Sequence, residues 1–131
     1  SMHIGLGYPL ILPFIVQCII AKNKIILIEE PEVHLHPKLE ADLADLIVES
    51  SLIRSNQFII ETHSEDFLLR ILKSIRLGKL KPEDVSVNYI VPNDKNGSKA
   101  TRININKFGQ YTTPWNDNLF AERRREFSNK K

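Results

Sequence analysis

Hydrophobic and polar positions change period several times along this chain, and each change marks an element. Residues 9–21 are apolar almost all round, with Gln17 the one strongly polar residue. That pattern predicts a buried helix. Pro13 suits a first turn, which sets the helix over residues 14–21. Lys22-Asn23-Lys24 reads as a turn. Four consecutive large apolar residues follow, Ile25-Ile26-Leu27-Ile28, and they run straight into Glu29-Glu30. A short β-branched run of this kind predicts a strand buried on both faces, as in a central parallel strand. Pro31 stops the strand because it cannot donate to a ladder. Pro37 can open a helix, where its lack of an N–H costs nothing.

The period then becomes helical. Leu39, Leu43, Leu46 and Ile47 share one face of residues 38–53, and charges fill the other. Ser55-Asn56 breaks the helix. Phe58, Ile59 and Ile60 predict a second buried strand over 57–61, followed by the polar loop Thr62-His63-Ser64. Ser64 is a good N-cap, and Glu65 and Asp66 fall in the first turn, where the helix dipole favours acid. Phe67, Leu68, Ile71, Leu72 and Ile75 mark an amphipathic helix closing near Gly78. Alternation over 84–91, a turn cluster at 93–97 and alternation at Thr101, Ile103 and Ile105 predict a β-hairpin. The order strand, helix, strand, helix predicts an α/β fold with a parallel sheet.

Composition narrows the class without naming a chemistry. The chain has 131 residues, 42% hydrophobic and 26% charged, which suits a soluble globular protein with a real core. A net charge of +2 does not by itself imply nucleic acid or a membrane surface. The single cysteine, Cys18, excludes an internal disulfide and reads as a small buried hydrophobe. The apolar run at 9–21 is shorter than the roughly 20 residues that span a bilayer, and no secretory leader pattern precedes it. A cytoplasmic protein with no membrane partner is the expectation. Ser1 before Met2 reads as a tag remnant, and the chain as a piece that starts inside a larger protein.

The chemistry gathers where the two buried strands end. In open α/β sheets, ligands bind outside the carboxyl ends of the strands. Neighbouring strands lie about 4.8 Å apart, so Glu30 and His63 would flank one small ligand if the strands pair. A carboxylate pair and an imidazole at such an edge suit hydrolysis of a phosphate ester or anhydride. One carboxylate holds Mg²⁺, the next orients or deprotonates a water, and the histidine contacts the transferred phosphoryl group.

Residues 25–37 resemble the Walker B strand and following loop of ABC-type ATPases, the branch that includes SMC-like proteins. The double glutamate with an H-x-H-P ending resembles bacterial AAA-type ATPases related to the overcoming-lysogenization-defect (OLD) family. Ile59-Ile60-Glu61-Thr62-His63-Ser64 is similar to that family's switch-histidine strand and loop. Gly5-Leu6-Gly7-Tyr8 with Leu12-Pro13 resembles the signature region upstream of Walker B. The resemblance implies a P-loop NTPase-like parallel-sheet fold, here the incomplete C-terminal lobe of an ATPase head over residues 3–108. It carries a β-hairpin and a small tail over 109–131, where Trp115, Phe120 and Glu122 are weakly similar to a tail domain of unknown function. It further implies Glu29 as the Mg²⁺ carboxylate, Glu30 as the catalytic carboxylate and His63 as the switch residue at the γ-phosphate. Gly5 and Gly7 would approach the phosphate bound to an opposite subunit, and residues 31–37 would signal across an ATP-sandwich homodimer. DNA, or a nuclease or toxin, would be the further partner.

Three departures shape that expectation. The chain holds no G-x-x-x-x-G-K-[ST]: in Gly78-Lys79-Leu80 the first glycine's place is taken by Lys73 and no hydroxyl follows the lysine. Nothing in the sequence therefore cradles the β- and γ-phosphates. Pro9 and Leu10 stand where the signature region has a Ser and a Gln. Glu29 is one methylene longer than the usual Asp. The reading is the C-terminal half of an ATP-binding and ATP-hydrolysing head, inactive alone and completed by an N-terminal P-loop lobe. Two alternatives remain: a non-catalytic dimerisation or partner-binding module, and a self-contained metal-dependent hydrolase in which His34 and His36 add an H-x-H to the carboxylates. Arg123-Arg124-Arg125 reads as a solvated helix face or a nucleic-acid patch.

Overall fold

The computed structural model describes residues 7–93 and 97–112. The chain divides into two compact units, Ser1–Ser74 and Ile75–Lys131. In the first unit, helix α1 (Gly7–Ile20) leads into strand β1 (Ile25–Glu29). Helix α2 (Pro37–Arg54), strand β2 (Gln57–Glu61) and helix α3 (Glu65–Arg76) follow, and α3 runs on into the second unit. Strands β1 and β2 pair in parallel, with Ile25 opposite Gln57 and Glu29 opposite Glu61. The mixed α/β architecture is that of a partial P-loop NTPase-like fold, with α2 as the crossover between adjacent parallel strands.

Helix α1 begins at Gly7, not at Phe14, and carries Pro13 in its interior. Pro9 sits in the first turn, where the amides have no intrahelical partner, so its lack of an N–H costs little there. Pro13 removes one interior hydrogen bond. Packing outweighs that loss: Ile11, Phe14 and Cys18, at helical spacing, are buried. The Phe14 ring meets Phe58 of β2 edge-on, with centroids 6.2 Å apart at 78°. The all-round burial expected of α1 is not found. Leu12, Val16, Ile19 and Ile20 lie exposed on its outer side.

The strands were expected to be buried on both faces, and they are covered on one. Ile26, Ile28, Phe58 and Ile60 are half-buried on the face that Phe14 covers. Ile25, Leu27 and Ile59 point the other way and are exposed, Leu27 at 71%. The reason is that the described residues of the first unit supply one helical layer, and none of them packs on the opposite face of its sheet. The core lies between helices and sheet, with Leu43, Ala44, Ile47 and Val48 of α2 and Phe67, Ile71 and Leu72 of α3 buried. Arg70 of α3 clasps Asp45 of α2 through both Nε (2.9 Å) and Nη2, and the hydrogen bonds to Asp45 push the guanidinium pKa further up.

A polar knot fixes the ends away from the acidic rim. Ser55 ends α2 in the left-handed region at φ 55°. Asn56 is 5% exposed. Its Oδ1 accepts from the Lys24 amide at 3.0 Å, and its Nδ2 donates to the Ala21 carbonyl at 2.9 Å and to Ser50 Oγ at 3.1 Å. Ser50 Oγ in turn donates to the Cys18 carbonyl at 2.7 Å. One amide thereby ties the exit of α1, the entry of β1 and the entry of β2.

The second unit contains a short 3₁₀ turn (Pro82–Asp84) and an antiparallel hairpin of β3 (Val87–Asn93) and β4 (Gly97–Ile103), with Val87 opposite Ile103. Gly78 closes the preceding turn at φ 71°, a conformation open to a residue without Cβ. Ile105 falls outside β4 and bridges Tyr111 instead. Gly5, Trp115, Phe120, Glu122 and Arg123, Arg124 and Arg125 lie outside the described residues. No helix among the described residues is long and apolar enough to cross a membrane.

Candidate functional site

Both strand ends open onto one edge, because β1 and β2 run parallel in register. Glu29 and Glu61 are the last paired residues and share the open face with Leu27 and Ile59. Strict alternation would send Glu30 to the opposite, helix-covered face. The backbone prevents this. Glu30 has φ 43°, in the left-handed region that non-glycine residues rarely occupy. Its amide still donates to the Glu61 carbonyl at 2.8 Å, so the ladder continues one residue past the strand. The bend after that bond redirects the side chain, and Glu30 Oε1 comes to lie 3.0 Å from His63 Nε2. The contact is a hydrogen bond when Nε2 carries its proton and an ion pair when the ring is charged. It is open to solvent, with the side chains of His63 and Glu30 61% and 44% exposed. Strain of about 1–3 kcal/mol at one such residue is a feature that clusters at functional sites.

The loop after Glu30 is built from turns. The Val33 amide donates to the Glu30 carbonyl, and the Leu35 amide to that of Glu32. Pro37 opens α2 as its first residue, and His36 caps it, Nδ1 accepting from the Lys38 amide at 3.3 Å. His36 is thus engaged in capping, and His34 occupies the left-handed region at φ 65°. Among the described residues no three His, Cys, Asp or Glu side chains are grouped to hold a metal ion.

Sequence reasoning did not single out Glu32, which the fold brings to the same edge. Glu32 Oε1 accepts from Thr62 Oγ1 at 2.6 Å and from the His63 amide at 3.0 Å. The Ser64 amide donates to Thr62 Oγ1 at 3.0 Å. Ser64 Oγ donates to Glu40 Oε1 and accepts from the Phe67 amide at 3.1 Å, which caps α3. The one available signal for Glu32 was a third carboxylate inside a loop bounded by Pro31 and Pro37.

Of the predicted site residues, Glu30 and His63 touch. Glu29 stands one residue before Glu30 on the open face. Gly7 is the first residue of α1, and Gly5 is not described. The fold and the edge together define a partial P-loop NTPase-like α/β protein whose carboxylates and histidine line the carboxyl end of a parallel sheet. Comparison with known families gives the same class. Residues 3–68 match the AAA ATPase domain, and the chain belongs to that family. It is also 32% identical over 100 residues to the OLD nuclease of Thermus scotoductus, an alignment covering 75% of this chain. The matched stretch is 19% of that relative's length. No solved structure matches the chain.

Proposed function

We propose that this chain carries the carboxylate-and-histidine half of an ATP-hydrolysing head. The observation that carries the reading is the 3.0 Å approach of His63 to Glu30 on the edge where two parallel strands end. Glu30 orients and deprotonates the attacking water, and His63, leaving Glu30, contacts the phosphoryl group being transferred. The residues fit the metal that such chemistry uses: Mg²⁺ prefers oxygen ligands, keeps several waters and needs one or two carboxylates. Glu29 would hold it, and bound Mg²⁺ would offset the charge that develops on the phosphates.

The chain has no phosphate-cradling glycine loop in its sequence, so a P-loop lobe supplied from outside these residues completes the site. The exposed Ile25, Leu27 and Ile59 support this, because parallel sheets function with both faces covered. Gly5 and Gly7 are assigned to the nucleotide of a second head in a homodimer by their sequence alone, and the loop at 31–37 reports between the two. The similarity to a protein named a nuclease favours DNA, or a nuclease partner, as what the ATPase serves.

Turnover tests the proposal. The chain alone in millimolar Mg-ATP releases no phosphate above background. Joined to its P-loop lobe it hydrolyses ATP, and Glu30→Gln abolishes that turnover while leaving nucleotide binding. Robust hydrolysis by the chain alone, lost in Glu30→Gln, would overturn the division of labour proposed here.

A further inference from the structure

We infer that Glu32 is a positioning residue that holds the His63 backbone still so that the His63 side chain alone can move. The inference rests on the role given to His63 above, and its structural content stands without nucleotide.

Three consecutive residues after β2 are pinned by two carboxylates from a different part of the chain. Glu32, in the loop after β1, takes the Thr62 hydroxyl and the His63 amide on a single oxygen. Glu40, in the first turn of α2, takes the Ser64 hydroxyl. Thr62 Oγ1 closes the set by accepting from the Ser64 amide. On residues 62–64 the groups used are backbone or short side chains, and none belongs to the imidazole. The ring is left exposed, with Nε2 toward Glu30 as its polar contact.

Glu32 uses one of its two carboxylate oxygens in this latch. Its Oε2 is enclosed by protein and has no hydrogen-bond partner among the described residues. A buried acceptor without a donor opposes folding, and natural proteins tolerate one where function demands the group. A glutamine oxygen can accept from both donors, but a carboxylate oxygen holds them more tightly because its charge strengthens each bond. The loop after β1 and the loop after β2 are thereby coupled through one side chain. A shift of residues 31–37 moves Glu32, and with it the position from which His63 reaches Glu30.

NMR on the full chain tests this without ATP. In the wild type, Glu30→Gln changes the chemical shift of His63 Nε2, because the two side chains touch. In a Glu32→Ala background that change is lost, and the His63 amide exchanges with solvent at least tenfold faster. Glu32→Gln, which keeps one oxygen for both donors, restores both readouts at least in part. Should Glu32→Ala fail to fold, Thr62→Val removes half of the latch while keeping the β-branched shape, and it weakens the same coupling. The inference is overturned if either variant leaves the Glu30→Gln response of His63 and its amide exchange unchanged, or if Glu32→Gln behaves like Glu32→Ala. If the coupling holds but turnover of the assembled head ignores Glu30 and His63, the functional reading falls and the latch remains.

Discussion

Replacing Asn56 by alanine removes three hydrogen bonds at once, to the Lys24 amide, the Ala21 carbonyl and Ser50 Oγ. A bond of this kind contributes about 1 kcal/mol net, so the expected loss is roughly 3 kcal/mol. The loss is not smaller than this because the site is 5% exposed and water does not readily replace the amide. For a unit of the size of Ser1–Ser74, which holds the knot, roughly 4–8 °C of melting temperature is lost per kcal/mol, so its transition drops by about 12–24 °C. Urea unfolding followed by far-UV circular dichroism reads the change as a lower midpoint at unchanged slope. The effect reaches the acidic edge too. Asn56 anchors Lys24 where β1 enters, and Ile25 pairs with Gln57 directly after it. A one-residue slip would turn Glu29 and Leu27 to the other face. The contact between Glu30 and His63 should therefore loosen in the same variant, read by the His63 ring shift. A destabilisation below about 1 kcal/mol would refute the view that this knot sets the strand register.

Two further outcomes follow from burial. Burial raises the Cys18 thiol from the usual 9.0 to about 11, and the side chain is 1% exposed. The native state then keeps its proton where the unfolded chain loses it. This contribution is complete below about pH 9 and falls by roughly 2–3 kcal/mol as pH rises towards 11; Cys18→Ala should lose less stability over that window in urea titrations, and an equal loss would refute it. Leu27→Ser should change the stability of this chain by no more than about 0.5 kcal/mol, because the residue is exposed. A loss above that in calorimetry would mean that the outer sheet face is covered in the isolated chain.

The parallel pairing was legible because its signal is local and redundant. Two apolar runs, each closed by polar residues, flank a helix long enough for a crossover, and few topologies accept that order. Pro37 and Ser64 were read as helix starts from their own chemistry, and both act so. The start of α1 was not legible, because Pro13 looks like a beginning and its interior place is decided by packing on Phe58 and α2. Coverage of the strands was not legible either: hydrophobic composition records what a strand meets in its complete surroundings, and the described residues of the first unit supply one side. The approach of Glu30 to His63 was expected from strand adjacency. The latch at Glu32 was not, since choosing among Glu29, Glu30 and Glu32 depends on a backbone bend that no periodicity encodes.

That bend at Glu30 narrows the alphabet available to its position. Left-handed backbone is comfortable for glycine and tolerable for asparagine and aspartate. The proposed water chemistry demands an acid. Aspartate alone meets both requirements, and it arrives one methylene short of the imidazole. Any library built at this codon will therefore recover variants that fold more easily and reach less far, with the parent holding a compromise between the two.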